Sequence, residues 1–587
     1  MPTHSKKPYK TYRNPPGAVP DGVFVDINIS FDKEIISNVN LIVIYNDNET
    51  KSYAMNKNGL DFSYNLEVSK GLYFYWFEFE NQITQKWQIT VYDKDFKTPD
   101  LFKGGIMYHI FVDRFAKSDS WRPEVRKGFY MHESVDETPF YKSDKCEDIY
   151  GGSLMGIIEK LDYLKELNVD IIYLSPVFEA NSNHKYNTAD YAKIDSMFGN
   201  DEIFDELIKQ AGNRDIKIIL DGVFNHTGDD SVYFNKYGRY KSLGAYQSKE
   251  SEYYDWYDFK DWESDREDYD CWWGVKSLPS VKKDQPVFRA FICGVNGIIE
   301  KWLRRGISGY RIDVADELSD RMLKGINRAV KDTSPESIII GEVWEDASNK
   351  IAYGQRRKYL LGNQLDSVMN YPLKDAVINY LRTGNSRAIS EVMEMITQNY
   401  PKQSIDCLMN IIGTHDTMRI LTALGTENFT DNKDIMAESK LSSNERTNGI
   451  FLLKAAVLMQ MTLPGIPCIY YGDEAGLEGY SDPFNRRFFP WDNIDKSIHD
   501  FYKKICSIRK ENKKIFADGE YELVREANGL FCYKRKKGEK EIYAYVNLSD
   551  KAYHLTDIFI SLLTGEPVKK LKSKSFDLFY IITRHGI

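Results

Sequence analysis

Residues 153–174 read SLMGIIEKLDYLKELNVDIIYL. Ser153 is a helix-capping residue type, and Leu154, Ile157, Ile158, Leu161, Leu164 and Leu167 fall on one stripe behind it. The following run, Ile171–Leu174, is short and apolar, as a buried parallel strand is. The stretch therefore reads as an amphipathic helix feeding a strand, and that rhythm extends in both directions.

Upstream, Ile106–Val112 reads as a strand. Downstream, Asn200 caps a predicted helix with Asp201 and Glu202 in its first turn and Gly212 just past its end, and Ile216–Leu220 follows as a strand. From 227 to 291 the chain is polar and aromatic without a clean period. That is too long for an ordinary βα loop and predicts an inserted subdomain. Val295, Ile298, Ile299 and Trp302 then predict a helical stripe ending at Gly306. Further strands are predicted at Gly309–Val314, Ile338–Glu342, Ser367–Tyr371, Leu408–Gly413 and Cys468–Tyr471. Eight strands separated by helical segments predict an α/β fold, a closed (β/α)8 TIM barrel over residues 104–514. An open doubly wound sheet is the alternative that this pattern leaves.

The flanks read as β. In residues 1–103, Val25, Ile27, Ile29 and Phe31 alternate with polar residues, and Leu41–Tyr45 and Leu72–Phe79 are further β-rich runs, which predicts an N-terminal β-sandwich. In 515–587, Asn528-Gly529 between Tyr521–Val524 and Leu530–Tyr533 is a hairpin signal, Ile542–Leu548 is another strand, and a C-terminal antiparallel β domain follows. The basic run Lys534–Lys537 beside Gly538 reads as a solvated turn.

Composition narrows the class. The 587 residues carry a net charge of −9 with no basic patch, which argues against nucleic acid as a partner. Seven scattered Cys form no C-x-x-C pair, so neither a zinc site nor a disulfide framework is expected. Met1–Lys7 leads into polar sequence without an apolar leader core, and no apolar run is long enough to span a bilayer. A cytoplasmic protein with no membrane partner is expected.

Barrel active sites form where the βα loops converge, at the carboxyl ends of the strands. Here those ends carry acids and histidines: Asp221 through Asn225-His226 after the third strand, Asp313 after the fourth, Glu342-Val343-Trp344 after the fifth, and His415-Asp416 after the seventh. A single acid there is usually a solvated loop residue or a cap. Asp313, Glu342 and Asp416 recurring around one ring are harder to explain that way, because buried strands rarely tolerate charge. Arg311, two residues before Asp313, shares its strand face and is expected to keep Asp313 ionised. Paired carboxylates are what glycoside hydrolysis needs, and a retaining enzyme holds them about 5–5.5 Å apart. Adjacent strand ends about 4.8 Å apart can supply such a pair.

The strings DGVFNH (221–226), GYRIDVADE (309–317), GEVWEDA (341–347) and IIGTHD (411–416) resemble, in order, four conserved motifs of the α-amylase family, glycoside hydrolase family thirteen. The likeness spans about 104–491. It is nearest to the neopullulanase, cyclomaltodextrinase and maltogenic amylase branch, through residues 313–317, 471–474, 482–487 and 183–191. The resemblance implies a glycosidase with Asp313 as nucleophile, Glu342 as acid/base and Asp416 as transition-state stabiliser. It implies that Arg311 orients Asp313, that His226 and His415 bond the sugar at the cleaved position, and that Tyr186 stacks on it. Asp482 and Arg486 would hold sugars on the non-reducing side, with Trp344 and Glu317 toward the leaving side and Asp221 and Asn225 as structural supports. The substrate class implied is α-glucan: maltodextrins, cyclodextrins, pullulan or starch fragments. The N-terminal domain is implied as a glucan-binding or homodimerising unit.

The sequence departs from that branch at Asp316, where Asn is usual, and at Asn187, where Asp is usual. The first change bears on the balance of α-1,4 and α-1,6 cleavage. Trp272 and Trp273 in the insertion read equally as sugar platforms or as that subdomain's small core. Calcium is common in the family, and Asp113–Asp119 resembles a calcium loop of relatives. With only Asp113 and Asp119 offering carboxylates, it reads as a surface loop; no metal ligand is assigned and no cofactor is required. Two other functions compete: a transglycosylase using the same site, and a non-catalytic binding or scaffold homologue. The presence of all three acids weighs against the latter.

Overall fold

The computed structural model describes residues 9–32, 36–142 and 146–581. Met1–Lys7, read above for a leader, lies outside them. Eight parallel strands form one sheet: β1 (Met107–Ile110), β2 (Ile171–Leu174), β3 (Lys217–Gly222), β4 (Gly309–Ile312), β5 (Ile338–Gly341), β6 (Ser367–Val368), β7 (Met409–Asn410) and β8 (Ile466–Tyr470). Their spatial order is β6-β5-β4-β3-β2-β1-β8-β7, and a parallel bridge between Met369 and Met409 joins the two ends. The barrel is closed, which excludes the open sheet. Its interior is filled by alternate residues of successive strands, among them Met107, Ile171, Tyr173, Ile219, Ile338, Ile340, Met409 and Ile466.

That period of two places the chemistry. Ile219 points inward near the middle of β3, so Asp221 points inward at its end. Ile338 and Ile340 do the same for Glu342, the residue after β5. The register pairs Asp221 with Arg311 and Ile312 with Gly341, which brings the ends of β3, β4 and β5 to one level.

The caps fall where the side chains dictate. Ser153 accepts from Gly156 N and Asn200 from Ile203 N. Gly212 closes the helix Asp201–Gly212 rather than lying beyond it. Val295 is not part of the predicted stripe: the helix is Ile298–Arg304, and Val295 is exposed in the turn before it. The insertion holds a small hairpin, Phe259–Asp261 with Asp265–Tyr269, around a core of Phe234, Trp256, Tyr257 and Tyr269. A helix, Pro286–Cys293, runs through its expected end at 291.

Two sheets before the barrel enclose a core of Val25, Ile27, Ile29, Leu41, Phe77 and Ile89. After it come the helix Lys513–Asp518, which crosses the expected boundary at 515, and a six-stranded antiparallel sheet. Asn528-Gly529 joins strands Glu520–Ala527 and Leu530–Lys537, with Gly529 in the left-handed region a two-residue turn needs. The basic run is therefore not a turn. It forms the end of a strand, and Arg535 is buried, donating to the carbonyls of Thr462 and Gly519.

Asp113 is also not on a surface loop. It lies buried in the one-turn helix Val112–Phe115, accepting from the backbone N–H of Tyr150 and Gly151, with Arg114 Nε 2.6 Å away. A cation there would meet the Arg114 guanidinium, so these residues do not fit a calcium site.

Candidate active site

Arg311, fully buried, is the hub. Its Nη1 donates to Asp221 Oδ1 at 2.9 Å and to Asp313 Oδ1 at 2.6 Å. Nη2 lies 2.9 Å from Glu342 Oε2 but lacks the alignment of a hydrogen bond, so that contact is electrostatic. The far side of Asp221 is taken by Tyr173 OH at 2.6 Å and Tyr186 OH at 2.9 Å.

The acid after β4 is followed by a strained turn. Val314 adopts φ 37°, ψ 57°, a left-handed conformation costly for a β-branched residue. The turn aims the Val314 N–H at Glu342 Oε2, 2.8 Å away. Trp344 Nε1 donates to the other oxygen of Glu342 at 3.0 Å, and the indole stacks on Tyr371 with centroids 3.9 Å apart. Both oxygens of Glu342 are thereby oriented.

Tyr186 links the acids to the opposite wall. Its ring lies parallel to that of His415, and its OH is 2.7 Å from His415 Nε2. Because the single Tyr186 hydroxyl proton goes to Asp221, Nε2 of His415 is inferred to carry a proton and donate. Asp416 Oδ2 is 3.1 Å from the same nitrogen. Burial pushes His415 well below the usual imidazole range and His226 down to about 4, so both rings are neutral near neutrality. His226 Nε2 faces Tyr186 O at 3.2 Å, and its Nδ1 faces Asn225 Nδ2 at 3.1 Å. Arg486 donates to His415 O at 2.9 Å, pairs with Asp482 at 3.0 Å and lies 3.6 Å from Asp416.

The electrostatics correct one expectation. Arg311 draws the Asp313 pKa down, but burial, with help from the Glu342 and Asp221 carboxylates, outweighs it and raises Asp313 above the carboxylate range. Asp221 is raised too, chiefly by burial. Burial and Glu342 push Asp416 up to about 7. One guanidinium faces three carboxylates, so the cluster retains protons that isolated acids would shed, and that retention belongs to the group rather than to one residue.

The structure thus brings together Asp221, Arg311, Asp313, Glu342, Trp344, Tyr186, His226, Asn225, His415, Asp416, Arg486 and Asp482 around one mouth of the barrel. Glu317 stands apart on the rim, where Trp273 Nε1 and Tyr353 OH both donate to its Oε1. Asp316 turns toward Lys350, 3.4 Å away, and accepts from Tyr359 OH. Asn187 accepts from Ser182 Oγ. Neither Trp272 nor Trp273 belongs to the insertion's core: Trp272 stacks on His226 at 5.5 Å, and Trp273 is 80% exposed. Sequence reasoning missed Tyr173, Tyr353 and Tyr371. Tyr173 was findable, since it lies two residues after inward-facing Ile171. A separate cavity of about 990 Å³, lined by Gly17, Arg387, Glu391, Tyr400 and Glu520, holds none of these acids.

A closed barrel whose carboxyl rim gathers paired carboxylates around one guanidinium has the architecture of a glycoside hydrolase catalytic domain. The α-amylase catalytic-domain family matches residues 109–514. The chain is 33% identical over 504 residues to a cyclomaltodextrinase of Thermoanaerobacter pseudethanolicus, covering 83% of this chain and 78% of that one. It is 37% identical over 502 residues to an amylopullulanase of Thermoanaerobacterium saccharolyticum, covering 77% of this chain. The chain spans only 38% of that much longer relative. Among solved structures, a Nostoc punctiforme debranching enzyme aligns with TM-score 0.66 at 27% identity, over 83% of this chain and all of that one. The type III pullulan hydrolase of Thermococcus kodakarensis shares the fold with TM-score 0.72 over 96% of this chain and 98% of that one, at 23% identity. The chain belongs to the α-amylase family.

Proposed function

We propose that this protein hydrolyses α-1,4-glucosidic bonds, and α-1,6 bonds as well, in maltodextrins, cyclodextrins, pullulan or starch fragments, with retention of configuration. The observation that carries the reading is that Asp313 and Glu342, from neighbouring strand ends, both lie within 3 Å of one guanidinium. That neighbourhood is compatible with the separation of about 5–5.5 Å between carboxyl groups that a retaining pair uses. The cyclomaltodextrinase and amylopullulanase relatives support the substrate class.

In the first step Asp313, in its ionised form, attacks the anomeric carbon through a carboxylate oxygen. The glycosidic C–O bond breaks as Glu342 gives its proton to the leaving oxygen, leaving a glycosyl ester on Asp313. In the second step water attacks that carbon, Glu342 takes the water's proton, and the Asp313 carboxylate departs. Arg311 restrains both acids. Asp416, in its ionised form, stabilises the oxocarbenium-like state, and neutral His226 and His415 offer donors to sugar hydroxyls. Tyr186 supplies a stacking face. Asp482 and Arg486 hold the non-reducing side, Trp344 and Glu317 the leaving side. Asp221 and Asn225 support the site from behind.

The test is incubation with maltotriose, β-cyclodextrin, pullulan, panose and starch, with products identified and anomeric configuration followed by NMR. Release of α-configured products is expected. Failure to release reducing sugar from any of them, or initial β-products, overturns the proposal.

A further inference from the structure

A line of aromatic rings leaves the cleft on the side of Glu317. His226, beside Tyr186, stacks on Trp272 at 5.5 Å, and Trp272 stacks on Trp273 at 5.6 Å. Trp273 Nε1 then reaches Glu317 Oε1 at 3.0 Å, and Tyr353 OH reaches the same oxygen at 2.6 Å from the other side. The two outer rings come from distant parts of the chain, one from the insertion after β3 and the other from a hairpin after β5. Both are wet: Trp273 is 80% and Tyr353 70% exposed.

Neither ring is there by default. Trp273 has φ 48° and Tyr353 φ 52°, left-handed conformations that bulky residues rarely adopt. Such strain persists only where the surroundings enforce it, and it gathers at functional sites. The Tyr353 hairpin, Ile351–Ala352 with Gln355–Arg356, is fastened on both sides. Arg356 makes a two-pronged pair with Asp47 of the N-terminal domain, 2.9 Å at each contact, and Arg357 Nη1 donates to Leu318 O at 3.0 Å. Glu317 itself sits four residues after Asp313, in the turn Ala315–Glu317. The carboxylate that the resemblance assigns to a sugar contact is thus already engaged in holding one indole and one phenol ring in place.

We propose that Trp273 and Tyr353 form an aromatic clamp for the part of an α-glucan chain that extends past the leaving-side sugar, with Glu317 as its positioning residue. The proposal rests on the glucan-hydrolase reading above and extends it to chain length. A glucan is the occupant because the line is continuous with the cleft through Trp272 and His226, and because flat, amphipathic rings edged by polar groups suit pyranose faces. The N-terminal domain contributes by bracing the hairpin through Asp47.

The test compares Trp273→Ala, Tyr353→Ala, Tyr353→Phe and Glu317→Ala with the unmodified protein on maltotriose and on long-chain maltodextrin. Both aromatic residues are exposed, so their variants are expected to fold. For each alanine variant the ratio of KM on the long chain to KM on maltotriose is expected to rise about 3- to 10-fold. Tyr353→Phe, which keeps the ring and loses its tether, should fall between. Tryptophan fluorescence on titration with maltoheptaose reads the clamp without turnover: Trp273→Ala should lose most of the signal change. KM ratios unchanged in every variant, or an undiminished fluorescence change in Trp273→Ala, overturn the clamp. If the unmodified protein binds maltoheptaose with a Trp273-dependent signal but turns over no glucan, the hydrolase reading fails while the clamp stands.

Discussion

Asp221 faces Arg311 directly across the β3–β4 ladder, and its oxygens lie 2.9 and 3.1 Å from the Nη1 that also reaches Asp313. Two tyrosine hydroxyls occupy the rest of that carboxylate. Asp221 therefore serves as a fixed anvil against which Arg311 is pressed, and Arg311 in turn sets the positions of Asp313 and Glu342. The rigidity of this proposed reacting pair is inherited from the register of two strands.

Removing the guanidinium should be costly for that reason. Arg311→Met leaves several buried carboxylates facing one another without a counter-charge. A loss of about 3–5 kcal/mol in urea denaturation at neutral pH is expected. Because the acids can then be neutralised by protonation, the deficit should shrink as pH falls. An unchanged midpoint would show that the cluster does not depend on Arg311 for stability.

Asp313→Asn keeps the shape of the side chain and removes the attacking charge. The expected loss in kcat is about 10⁴-fold or more, with thermal unfolding close to the parent because Arg311 still has Asp221. Residual activity of even a few per cent would refute the nucleophile role.

The barrel was legible because its signals are local and repeated: Ser153 and Asn200 cap their helices, and the β2 strand Ile171–Leu174 falls where its apolar run predicts. The acids were legible because charge at the end of an apolar strand is expensive and therefore conspicuous. What escaped was set by tertiary context. Tyr353 looks like any surface tyrosine until the hairpin after β5 swings it onto Glu317. Val295 fits a helical period, but the stripe fails there because its turn faces solvent. Arg311 was expected to keep Asp313 ionised, a reading that counted one neighbour where the fold supplies three.

Buried Glu474 offers a pH test away from the sugar cleft. It accepts from Tyr108 OH at 2.5 Å and Tyr163 OH at 2.9 Å, yet burial raises its pKa to about 7. A folded-state pKa above the unfolded value means that the native state binds the proton more tightly. Its contribution to stability is thus complete below about pH 4 and is lost as pH rises to about 7. Glu474→Gln removes that loss. The variant is expected to gain on the parent between pH 4 and 8, by up to about 3 kcal/mol, in denaturant titrations across that range. A pH-independent difference would place the proton elsewhere.

Arg535 separates a surface charge from a structural one within a single basic run. Its guanidinium donates to Thr462 O at 3.1 Å and Gly519 O at 2.9 Å, tying the C-terminal sheet to the end of a barrel helix. Burial lowers its pKa to about 10 against the opposing pull of Asp406, Tyr533 and Asp518, so it stays charged, and its hydrogen bonds are those carbonyl contacts. Arg535→Ala strands buried acceptors and should cost about 2–4 kcal/mol. Lys537→Ala, two residues on and half exposed against Asp518, should cost about 0–1 kcal/mol. Hydrogen exchange should localise the first effect to strand Leu530–Lys537 and its neighbours. Equal costs for the two variants would return the whole run to the solvated surface that its composition suggests.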